Sequence, residues 1–120
     1  MLYLSQGNLT QMIGFCLPLS MYIYDVGYTL VRRSRRGENL FTAHRSHLYQ
    51  RLLIATGWSH ARLLVFHMPF YLATGASMLV FFHDTRWGNR FFALLLTSVA
   101  LEIYTLLVLR AEKIRAAVQG

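Results

Sequence analysis

Three long apolar runs limit what this chain can fold into. The most extreme are residues 63–82, LLVFHMPFYLATGASMLVFF, and residues 91–109, FFALLLTSVALEIYTLLVL. A third, residues 12–31, is interrupted by Asp25 and Gly27. Each approaches the ~20 residues that a helix needs to cross a bilayer. None alternates apolar and polar positions as a strand does, and none has the wide polar stripe of a surface helix in a soluble bundle. The expected fold is therefore all-α and polytopic, with three transmembrane helices over 12–31, 63–82 and 91–109. Charged residues make up only 14% of the chain, against ~25% in soluble proteins, which agrees with a membrane setting. High apolar content excludes intrinsic disorder.

The positive charge is localised. Seven of the 12 Lys+Arg fall in residues 32–62 (Arg32, Arg33, Arg35, Arg36, Arg45, Arg51 and Arg62), and none precedes Arg32. A secretory signal has its positive charge before the apolar run, so residues 12–31 read as a spanning helix and not as a signal peptide. The positive-inside rule then makes residues 32–62 a cytoplasmic loop, 83–90 an outer loop and 110–120 a cytoplasmic tail. Trp87 and Tyr3 fall at the outer interface and Trp58 at the inner one. The lone Cys16 excludes an internal disulfide and reads as a small buried hydrophobe.

Ionisable groups inside apolar runs are costly and mark structure or function. Asp25 shares a helix face with Thr29 and Arg32. Two readings stand for it: a structural carboxylate that pairs with an arginine or caps a neighbouring helix, or a carboxylate lining a polar cavity open to the cytoplasm. His67 reads as a neutral imidazole bonded across the bundle. Glu102 is protonated, paired with a helix outside this chain, or a sign that its helix does not span. The Ala73–Ser77 spacing would let another helix approach closely.

The basic loop holds the chemistry candidates. Gly37, Glu38 and Asn39 signal a turn. Thr42 is placed to cap a short helix from about Ala43 to Ala55, closed by Gly57. On that helix His44 and His47 share a face, and Gln50 and Arg51 continue the same side. Imidazoles, an amide and a guanidinium beside further arginines suit phosphate oxygens. A zinc site is disfavoured because the two histidines supply only two ligands and no cysteine is near. An anionic-lipid or nucleic-acid patch fits RRSRR, but juxtamembrane arginines also simply express membrane orientation.

Three segments together, Asp25-Val-Gly-Tyr-Thr29-Leu-Val-Arg32-Arg33, Arg36-Gly37-Glu38-Asn39 and Ala43-His44-Arg45-Ser46-His47-Leu48-Tyr49-Gln50-Arg51-Leu52, resemble glycosyltransferase family 4. This is the polyprenyl-phosphate N-acetylhexosamine-1-phosphate transferase superfamily, and the likeness is to the bacterial branch that starts O-antigen or capsular glycan synthesis. It covers residues 17–58, with the following two helices similar in hydropathy only. The resemblance implies transfer of a sugar 1-phosphate from a UDP-sugar to undecaprenyl or a similar polyprenyl phosphate, with Mg2+, at the bacterial inner membrane and with the C-terminus cytoplasmic. It implies that His44, Arg45, His47, Gln50 and Arg51 face the donor diphosphate, supported by Asp25, Arg32, Arg33 and Arg36. The family's acidic metal and base motifs, an Asp-Asp pair and a Gly-Asp-x-Gly-Ser segment, are not in this sequence. The chain therefore reads as the C-terminal part of a larger transferase. By that expectation it binds no metal and has no catalytic residue of its own, needs N-terminal helices of the same enzyme as partners, and takes no nucleic acid. The competing reading is a small non-catalytic membrane protein or subunit that binds anionic lipid through its arginines.

Overall fold

The computed structural model describes residues 3–42, 46–83 and 86–120, with side chains from Leu9 onward. The described residues form five helices and no strand: α1 Tyr3–Cys16, α2 Ser20–Arg35, α3 Leu48–Thr56, α4 His60–His83 and α5 Trp87–Gln119. Helices α4 and α5 are the two long and apolar enough to cross a membrane. Their most apolar windows are only 22% and 33% buried. The core helices of a soluble protein hide most of their surface, so exposure on this scale is consistent with a membrane protein.

Helix α5 departs from the expected pattern. It continues past residue 109 to Gln119, so the expected tail is the last part of one helix. At ~1.5 Å per residue its 33 residues are about 50 Å long. Its final third projects beyond the apolar stretch and gives α3 a surface to pack on.

The apolar run 12–31 is not one helix. It is divided between α1 and α2 at Leu17-Pro18-Leu19. Proline lacks the N–H that would bond one turn back, and its ring clashes with the preceding turn. Asp25 and Gly27, read from the sequence as the interruptions, both lie within continuous α2. Where α1 meets α4, Gly14 is the residue that permits contact: a Cβ there would run into the Phe81 and Phe82 rings. The neighbouring Phe15 and Phe82 rings meet at a tilt of 46°, with centroids 5.2 Å apart. Cys16, expected to be buried, is exposed.

Helices α4 and α5 pack antiparallel. His67 meets Tyr104 toward one end, and Phe81 packs with Ala93 toward the other. That register puts Thr74 and Ser77 opposite Thr97 and Ala100. Of the Ala73–Ser77 pair, Ser77 is fully buried, as is Thr74, while Ala73 is only partly buried. Glu102 is exposed on the opposite side of an unbroken α5. The expected outer loop shrinks to the few residues between His83 and Trp87, which include Asp84 outside the described residues. The Tyr3 side chain also lies outside them.

Below the α4–α5 pair, Met21, Leu48, Leu52, Leu63, Tyr104 and Val108 form the main core cluster. It joins α2, α3, α4 and α5. The short loop helix is therefore seated inside the fold, with Leu48 and Leu52 almost wholly buried. Trp58 packs on this cluster and meets Phe66 edge-on at 5.4 Å.

Candidate functional site: a capped loop helix beside a cavity

The site begins with the spacing of α2. Met21, Asp25, Thr29 and Arg33 recur every four residues and are its buried face. Asp25 therefore points inward, where its Oδ1 accepts the Leu48 backbone N–H at 2.7 Å and the Thr29 hydroxyl at 3.2 Å. Its Oδ2 faces the Tyr49 N–H at 3.5 Å. Leu48 and Tyr49 open α3, so a carboxylate 23 residues earlier in sequence satisfies the first free N–H groups of that helix. Its charge also lies at the positive end of the α3 dipole. Of the readings offered by the sequence, helix capping is what the geometry contains.

The cap displaces the expected helix start. α3 begins at Leu48, with His47 in extended backbone (φ −60°, ψ 149°) as the residue before it. The His47 N–H donates to Gln50 Oε1 at 3.4 Å. Thr42 caps nothing in α3: its hydroxyl donates to the Asn39 carbonyl at 2.9 Å. The other end matches expectation, since Gly57 closes the helix at φ +67°, a conformation that glycine adopts without a Cβ penalty. Because His47 precedes the helix, it does not share a helical face with Gln50 and Arg51. His44 and Arg45 lie outside the described residues.

The His47 Nδ1 lies 3.4 Å from Asp25 Oδ1. Both side chains line a cavity of about 490 Å³ that also meets His60, His67 and Tyr104 and is otherwise walled mainly by apolar groups such as Met21, Leu63 and Leu64. Besides capping α3, Asp25 thus borders this cavity. Gln50 and Arg51 do not line it. At its inner wall His67 Nδ1 donates to the Leu63 carbonyl at 2.8 Å, and Nε2 meets the Tyr104 hydroxyl at 2.9 Å. A carbonyl can only accept, so Nδ1 carries a hydrogen, and the expected bond across the bundle is present between Nε2 and Tyr104. His60 and Tyr104 had no distinguishing signal in the sequence, since neither belongs to a recognisable spacing.

The arginines divide into two kinds. Arg33 is buried and organises the turn: it donates to Glu38 at 3.1 Å, to Thr42 at 3.1 Å, and to the carbonyls of Asn39 and Leu40. The turn itself has Gly37 at φ +67°, as its sequence suggested. Arg51 is also buried and turns toward α5, where Nε and Nη2 donate to the two oxygens of Glu112 at 2.7 and 2.5 Å. Burial alone would lower the Arg51 pKa, but the Glu112 bonds outweigh it and the pKa is raised. Its Nη1 is buried too, so Arg51 offers little surface to a ligand. By contrast, Arg36 is exposed and Arg32 is partly so. Partial burial and the nearby Arg51 and Arg36 lower the Arg32 pKa. Crowded like charges of this kind gain from a bound anion. Glu112, which the sequence reading left in a plain tail, had one available signal: it is the sole acid after Glu102.

The magnesium implied by the family resemblance does not fit these residues. Among the described residues no group of three His, Cys, Asp or Glu side chains comes together as a metal site. Asp25 has both oxygens directed at N–H and O–H donors. Comparison with family models, curated proteins and solved structures found no match to this chain.

Proposed function

We propose that this chain is the carboxy-terminal membrane part of a sugar-1-phosphate transferase, acting on a UDP-sugar and a polyprenyl phosphate at the bacterial cytoplasmic membrane. The observation that carries the reading is the cap on α3 by Asp25, which holds His47 at the edge of a cavity and lies on the helix whose last turn carries Arg32, Arg33 and Arg35. In the reaction an oxygen of the lipid phosphate attacks the phosphorus bearing the sugar, and the bond to UMP breaks. Charge spreads over the phosphoryl oxygens, so catalysis depends on positioning and charge stabilisation. His47 donates an imidazole N–H to a diphosphate oxygen. Arg32 and Arg36 supply positive charge from the α2 exit, while Arg33 and Arg51 hold the loop in shape. In such enzymes magnesium neutralises phosphate charge; its ligands would come from helices outside these 120 residues.

His47→Ala, made in the full transferase, is expected to lower UMP release per milligram of correctly inserted enzyme by about tenfold to a hundredfold. Losing a hydrogen bond to a charged group costs about 1.5–3 kcal/mol, and ~1.4 kcal/mol is tenfold in rate. His47→Gln keeps some hydrogen bonding and should fall between. Wild-type specific activity in His47→Ala would remove His47 from the donor site. The second reading, a non-catalytic subunit on anionic lipid, is favoured by the exposure of Arg35 and Arg36. It requires vesicle binding that rises with anionic lipid while His47→Ala changes nothing.

The same proposal has the loop and the end of α5 in the cytoplasm and the α4–α5 turn outside. With Cys16 replaced by Ser, a cysteine at Asn89 is expected to react with an impermeant maleimide in intact cells, and one at Asn39 only after lysis. The opposite pattern inverts the topology.

A further inference from the structure

We infer that Glu112 is a positioning residue of the loop site: by clasping Arg51 it fixes α3, and through α3 it holds His47 against Asp25. The inference rests on the donor-site reading above for its functional consequence, but the clasp itself is tested without it.

Helix α3 has nine residues, too few to be stable alone in water. Its position must come from tertiary ties. Leu48 and Leu52 supply a non-directional one, since apolar contact tolerates sliding and rotation. Asp25 fixes only the first turn, through backbone N–H groups. The Arg51–Glu112 pair fixes the next turn, and it is the directional tie to α5. Both guanidinium bonds are in place and the Arg51 side chain is 8% exposed. A two-point contact between planar groups sets rotation as well as distance. Held between Asp25 on α2 and Glu112 on α5, α3 cannot turn about its axis without breaking one of them. His47, directly before Leu48, inherits that orientation. The length of α5 follows the same logic, because only a helix continuing past the apolar stretch brings Glu112 level with Arg51.

The test has two arms. In the 120-residue chain in detergent, Glu112→Gln should speed amide hydrogen exchange across Leu48–Thr56 at least tenfold, with α4 unchanged. The charge swap Arg51→Glu with Glu112→Arg should restore much of the protection, which general damage to the fold would not allow. Unchanged α3 exchange in Glu112→Gln overturns the clasp. In the full transferase, Glu112→Gln should raise the KM for the UDP-sugar severalfold with a smaller change in kcat, and the swap should bring it back. If His47→Ala raises that KM and Glu112→Gln does not, the positioning role is wrong. If neither variant affects turnover while α3 exchange still rises, the donor-site reading fails and the clasp stands.

Discussion

Asp25→Ala is expected to release the first turn of α3 and to cost about 3 kcal/mol, the upper part of the range for losing charge-assisted hydrogen bonds. Alanine removes the acceptor for the Leu48 N–H, the Thr29 hydroxyl and the Tyr49 N–H together. Leu48 is fully buried, so water cannot replace the lost partner without opening the core. The carboxylate's favourable interaction with the helix dipole disappears as well. Asp25→Asn retains an oxygen for one N–H but not the charge, and about half the loss is expected. Trypsin gives a direct readout, because Arg51 is buried and clasped in the native helix. Cleavage after Arg51 should be fast in Asp25→Ala, slower in Asp25→Asn and slowest in wild type. Equal cleavage in all three would show that the cap does not hold α3.

Much of the helical framework was legible because its signals are local. The runs 63–82 and 91–109 fall within α4 and α5, and Gly37 and Gly57 occupy the left-handed positions that their neighbours suggested. The first run was misjudged by weighting polarity over backbone chemistry. Asp25 has partners across the fold, so its charge does not break α2, whereas the break falls at Pro18; a proline does not compel one, since Pro69 lies inside continuous α4. The loop helix was expected to start five residues too early for a related reason. Thr42 looks like a cap locally, but Arg33 and Asn39 already engage its hydroxyl, and the acceptor that serves α3 lies on another helix. Arg51 shows the same limit. A helical repeat predicts which residues share a face, but His47 stands outside the helix and Glu112 is 61 residues from Arg51. No periodicity reports a partner at that separation. The cap by Asp25 was legible as one of its alternatives, because a carboxylate in an apolar stretch demands compensation and a helix cap is one of few ways to supply it.

The closest test of the α4–α5 pairing is Ser77→Leu, which should separate the two helices and cost about 3 kcal/mol, the upper end for overpacking a filled site. Without a hydrophobic drive between helices in lipid, association relies on close backbone approach and van der Waals contact. Ser77 and Thr74 have no exposed surface, and Ala93 across the interface has none. A leucine at position 77 must therefore push α5 outward or leave its preferred rotamer. Because α5 carries Tyr104, Val108 and Glu112, its displacement would also disturb the contacts to His67 and α3. Ser77→Ala separates packing from polarity. The Ser77 hydroxyl donates to the Ala73 carbonyl within its own helix at 2.9 Å, so removing it breaks no bond between α4 and α5. Thermal unfolding in detergent should thus show Ser77→Ala close to wild type and Ser77→Leu clearly lower, with α3 exchange raised only in the latter. A tolerated leucine would mean that α4 and α5 do not meet through this face, and that the register set by His67–Tyr104 and Phe81–Ala93 is wrong.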